Sequence, residues 1–140
     1  MADLVKITTI DDNVNEVVMT FSYQYVDGGN EASAAKVTPA NLSPSSNGTP
    51  CSSLSILEAW WVISGMTVEI EVGVASGTKP IIMNLTDVNG SYQDYSRFGG
   101  LPTTKNSGGT TPSGVINFTT TGAGAVSDTY QIALRMAKVY

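Results

Sequence analysis

Histidine is missing from this 140-residue chain, and cysteine occurs once, at Cys51. Without histidine, neither a Ser-His-Asp nor a Cys-His arrangement can be built from one copy. The His/Cys zinc sites, which need at least three such ligands, fall with them. A lone cysteine closes no intramolecular disulfide, so this is not a small secreted scaffold held by bridges. Charge is scarce too, at 14% of residues against a usual about 25%. Seven Lys and Arg meet twelve Asp and Glu, for a formal net charge of −5. Phosphate backbones are repelled by such a chain, which argues against nucleic acid as a partner. No apolar run approaches about 18 residues, so no membrane-spanning helix is expected. Met1-Ala2-Asp3-Leu4-Val5-Lys6 places no basic leader before an apolar stretch, so no signal peptide is expected and synthesis in a cytoplasm is.

Ser, Thr, Asn and Gly take the place of charge, beside 41% hydrophobic residues. At 14.7 kDa the chain reads as one domain over residues 1–140, large enough to bury roughly two-thirds of its unfolded surface. Its apolar pattern has period two. Val17, Met19, Phe21, Tyr23 and Tyr25 share one face of a strand between Glu16 and Val26. Met66, Val68, Ile70, Val72 and Val74 repeat the pattern, as do Tyr130, Ile132, Leu134 and Met136. Leu4–Ile10, Ala34–Thr38, Ser55–Ser64, Ile81–Thr86 and Val115–Thr120 are shorter candidates, with Trp60 to Ile63 read as buried on both faces. Asp27-Gly28-Gly29-Asn30, Ser64-Gly65 and Asn89-Gly90 are expected as hairpin turns, since Asp, Asn and Gly tolerate positive φ. Residues 39–53 and 99–114 are expected as long loops, and 1–10 as a strand or an N-terminal arm. The fold class is all-β: a β-sandwich or jelly roll of about seven to eight short antiparallel strands.

The chemistry on offer is thin, and no catalytic residue, cofactor or metal is assigned. Glu69 and Glu71 share a strand face, where a carboxylate pair suits a glycosidase, but a solvated outer face is the plainer reading. Asp87-Val88-Asn89-Gly90 opens like a calcium loop but lacks the later acidic ligands. Cys51 has no histidine to activate its thiol. Trp60-Trp61 places one indole on each side of a strand, so one packs inward and the other meets solvent or a partner. Tyr92, Tyr95 and Phe98 form a second aromatic group. These five residues are the candidate partner contacts, with core packing as the competing role.

Three stretches carry a likeness. They are Trp60-Trp61-Val62-Ile63-Ser64-Gly65-Met66-Thr67-Val68; Phe98-Gly99-Gly100-Leu101-Pro102; and Gly114-Val115-Ile116-Asn117-Phe118-Thr119-Thr120, followed by Ser127-Asp128-Thr129-Tyr130-Gln131-Ile132 and a Lys138-Val139-Tyr140 ending. Over roughly residues 60–140 the chain resembles small virion structural proteins of tailed phages, especially those of marine and cyanobacterial hosts. Relatives of that kind often read nearer Gly-Asp-Ile-Leu-Phe-Thr-Thr in the third stretch, from which Val115 and Asn117 depart. The resemblance implies a non-enzymatic head decoration (cement) protein on the capsid exterior. Its partners would be the major capsid protein and copies of itself, often as a homotrimer. The N-terminal segment and the 39–53 loop are then contact candidates. The alternatives are a carbohydrate-binding β-sandwich, which exposed Trp60 or Trp61 with Tyr92 would serve, and another virion part such as tail or baseplate. A shell-forming coat and an enzyme rank behind these.

Overall fold

The computed structural model describes residues 3–74, 79–86, 88–103 and 112–140. Ten strands lie among them: β1 Leu4–Asp12, β2 Glu16–Gln24, β3 Ala34–Val37, β4 Ser53–Ser64, β5 Thr67–Val74, β6 Ile81–Leu85, β7 Val88–Asp94, β8 Leu101–Pro102, β9 Pro112–Thr121 and β10 Thr129–Val139. One antiparallel sheet runs β1-β2-β10-β4-β7, with β8 also paired to β4; the other runs β3-β9-β5-β6. This is an all-β sandwich. The strands beyond the expected seven to eight are β7 and β8, whose polar or very short sequences carry no period-two signal.

Alternation placed the core correctly. Val17, Met19, Phe21 and Tyr23 of β2 are buried, as are Tyr130, Ile132, Leu134 and Met136 of β10. They meet Val68 and Ile70 of β5 and Ile116 and Phe118 of β9 across the sandwich. Phe118 bridges the two layers, edge-on to Phe21 at 5.0 Å and to Tyr130 at 5.8 Å. Such edge-to-face pairs each contribute about 0.5–1.5 kcal/mol beyond their burial. From Ala59 onward β4 is buried on one face only, against the expectation for Trp60 to Ile63. No described residue packs on the outer side of its sheet there: Val62 is exposed while Ile63 is not.

The expected hairpins fall elsewhere. Asp27–Asn30 and Ser64-Gly65 each carry the chain from one sheet to the other, since β2 and β3 belong to different sheets and so do β4 and β5. Asn89-Gly90 lies inside β7, where Gly90 takes a φ of 155° that glycine accepts readily. Asp87, the first residue of the calcium-like run, lies outside the described residues. The tight hairpin joins β1 to β2, where Asn13 Oδ1 accepts the N–H groups of Asn15 and Glu16 at 2.9 Å. That is a side-chain-made turn of the kind asparagine favours.

The 39–53 stretch is a loop, but a held one. A 3-10 turn covers Pro39–Asn41, and the buried Lys138 ammonium donates to Ser43 O at 2.9 Å while pairing with Asp12. Asp12 in turn accepts the Ser43 N–H at 2.9 Å, and Cys51 is buried. Leu101–Pro102 interrupts the 99–114 stretch as β8, and residues 104–111 lie outside the described set. Residues 4–10 form no dangling arm, because Leu4–Asp12 is laddered along β2.

Asp3 anchors the start of β1. Its carboxylate accepts the N–H groups of Val26, Asp27 and Gly28 at 2.7–3.0 Å and the Tyr23 hydroxyl at 2.9 Å. The backbone donors, Val26 first, hold its pKa down at about 2. Its unfolded value is about 3.9. A depressed folded pKa contributes stability that is complete above the unfolded value and lost as pH falls through the folded one. On the alkaline side, burial raises Tyr23 and Tyr130, and hydrogen bonds to Asp3 and Glu31 raise them further. Their contribution is complete below about pH 10 and lost above it. The melting temperature should therefore hold a plateau and fall between about pH 4 and 2. Asp3→Asn should make that acid limb shallower and reduce the Tyr23 share of the alkaline one, leaving the Tyr130 share in place; an unchanged acid limb would refute the Asp3 clamp.

Candidate binding face

The outer face of the β1-β2-β10-β4-β7 sheet is assembled by register. Trp60 of β4 stands opposite Tyr92 of β7 on one side and Ala133 of β10 on the other. The alanine is too small to cover the indole. Trp60 and Tyr92 are 40% and 46% exposed, with ring centroids 5.2 Å apart and planes tilted by 31°. Two neighbouring rings held at an open surface form a platform on which an apolar side chain or the flat face of a sugar can rest.

Charge borders the platform. Glu58 accepts the Tyr92 hydroxyl at 2.8 Å and the Arg135 Nε–H at 2.7 Å, while Arg135 also reaches Glu16 at 2.8 Å. The hydrogen bond to the Glu58 carboxylate pushes the Tyr92 pKa up to about 12. Tyr92 is therefore held neutral, with its ring position fixed by a charge-assisted bond. Further along the same face, an open cleft of about 670 Å³ is lined by Leu4, Lys6, Ser22, Gln24, Val62 and Gln131, among others.

The five candidate aromatics do not gather. Trp60 and Tyr92 come together here, whereas Trp61 faces inward and packs against the core. Its buried indole N–H has no hydrogen-bond partner among the described residues. Tyr95 is half-buried against the same core, and burial raises its pKa. Phe98 is 68% exposed in the 3-10 turn Ser96–Phe98, edge-on to Tyr95 at 6.1 Å. The Tyr92–Tyr95–Phe98 group is thus split, because the chain turns a corner after β7.

No sequence pattern pointed to the Glu58–Arg135–Glu16 cluster, which unites three strands whose adjacency nothing local reveals. The plainer reading of Glu71 as solvated also fails. That carboxylate is buried, accepting hydrogen bonds from Thr119 Oγ1 at 2.7 Å and Ser33 Oγ at 3.1 Å, because the crossing into β3 folds over it. Glu69 takes no part in these hydrogen bonds. Among the described residues, no three His, Cys, Asp or Glu side chains gather to hold a metal ion. No helix among them is long and apolar enough to cross a membrane.

The fold and this face define an antiparallel β-sandwich with an open, aromatic-bearing outer sheet. Compared with protein-family models and with curated proteins, the chain matches none.

Proposed function

We propose that the chain is a non-enzymatic decoration protein of a tailed-phage head, binding the outside of the shell as an oligomer. The observation that carries the reading is the Trp60–Tyr92 pair, exposed on a sheet face that no other described part of the chain covers. Aromatic anchors of this kind supply most of the energy of protein contacts. The resemblance over residues 60–140 supplies the partner class, the major capsid protein. Decoration needs no acid, base or metal; a protein that binds only the assembled shell stabilises it by mass action. Several weak contacts per oligomer add through effective concentration. A formal net charge of −5 with few charges overall suits an outer surface, away from packaged DNA.

The test is co-sedimentation with DNA-free heads of tailed phages from marine and cyanobacterial hosts. Binding that raises the heads' melting temperature, and weakens about tenfold or more in Trp60→Ser/Tyr92→Ser, supports the reading. No binding to any head, or binding indifferent to both rings, overturns it. The same pair favours one second reading, a carbohydrate-binding module. A glycan array with signals that vanish in Trp60→Ser would select that reading, and a silent array would remove it.

A further inference from the structure

Among the described residues, the longest run of exposed aliphatic side chains is on β1, not on the aromatic platform. It pairs with β2 on one side, and its other edge is bare among the described residues. Leu4, Val5, Ile7 and Ile10 are 42–63% exposed, although Val5 and Ile7 stand in register with buried Tyr23 and Phe21. The smaller sheet stops short of them, so the core-side face of β1 overhangs. The remaining end strands are less inviting: β3 has four residues, β6 has five, and β7 is largely polar. A nine-residue edge with aliphatics on both faces is a template for another strand.

Its charges say which strand. Lys6 faces outward beside Ser22, and no ion-pair partner for it exists among the described residues. Asp11 accepts only the Asn13 side-chain amide among them. The bulge between Thr9 and Asp11 returns Asp11 to the outer face, opposite Val18. An antiparallel pairing of two β1 strands about Thr8 therefore sets Lys6 of each copy across from Asp11 of the other. It also sets Ile7 across from Thr9, covering the overhanging aliphatics on both copies. Two opposite charges, neither in an ion pair among the described residues and both placed symmetrically about one residue in register, are what a two-fold edge contact requires.

We propose that β1 is a homodimerisation edge, joining two copies into one continuous sheet across a two-fold axis. The proposal is independent of the head-decoration reading, and it replaces with a two-fold pair the trimer that the resemblance implies. Light scattering after size exclusion, over a range of concentrations, tests it. The wild type should approach twice 14.7 kDa. Lys6→Asp and Asp11→Lys should each weaken association about tenfold, because two cross-strand pairs turn from attractive to repulsive. Combining both exchanges in one chain should restore it. So should an equimolar mixture of the two single variants, in which both cross-copy pairs are again of opposite sign. Unchanged thermal melts of the monomeric variants would establish that both still fold. A mass of 14.7 kDa at every concentration, a trimer, or a dimer untouched by the charge reversals would each overturn the proposal.

Discussion

Glu31→Ala should cost about 3–5 kcal/mol of folding stability, the usual consequence of stripping a buried charge of its partner. The Lys36 ammonium pairs with Glu31 where the two side chains are only 2% and 10% exposed. It lies 5.8 Å from the Phe118 ring centre and 6.0 Å from that of Tyr130, inside the sandwich. Tyr130 donates its hydroxyl to Glu31 at 2.7 Å, so the same carboxylate satisfies two buried donors. Removing it orphans both. Urea unfolding at neutral pH, read as a change in midpoint at constant slope, measures the loss. The double variant Glu31→Gln/Lys36→Met should recover most of it, because no charge then remains to be solvated and glutamine still accepts from Tyr130. Costs that simply added in the double variant would show that the two residues do not act as a pair.

Gly65→Ala should be nearly as damaging, at about 3–5 kcal/mol from two sources. Gly65 makes the corner between β4 and β5 at φ 78°, a left-handed conformation costing a non-glycine residue about 1–2 kcal/mol. A Cβ there would lie 1.8 Å from Asp128 Oδ1. Asp128 is buried and accepts the N–H groups of Gly124 and Ala125 at 2.8 and 2.9 Å through its other oxygen. Displacing it breaks charge-assisted bonds that brace the turn into β10. Gly29→Ala is the matched control: its φ is 97°, but a Cβ there meets nothing within 4 Å. Only the conformational part, about 1–2 kcal/mol, should be lost. Equal losses at the two positions, measured by the same unfolding experiment, would remove Asp128 from the account.

Much of the candidate face was visible as residue types but not as a place. Trp60-Trp61 announced that one indole would be outside. Which one depended on β4 turning Ala59, Trp61 and Ile63 toward the smaller sheet, a choice made after the bulge near Leu57 shifts the strand against β10. Tyr92 was in view as an aromatic, yet its pairing with Trp60 required β7 to be a strand, and Asn89-Gly90 carries the composition of a turn. Tertiary pairing outweighed turn propensity there, as it routinely does for edge strands.

Composition and alternation were enough for the class of fold and the inward residues of β2, β5 and β10. Side chains alternate across a strand whatever its neighbours, and burial of the apolar set selects the face. The lack of histidine and of a second cysteine likewise removed whole chemistries at the level of residue counts. Strand partners were decided only in three dimensions, because every strand offers the same backbone donors and acceptors and the side-chain pairs that choose among them lie on segments far apart in the chain, and a turn rich in Gly and Asn serves a hairpin or a sheet crossing equally well. The same holds for each feature that pairing creates: the Trp60–Tyr92 platform, the burial of Glu71 beneath the crossing into β3, and the bare apolar edge of β1.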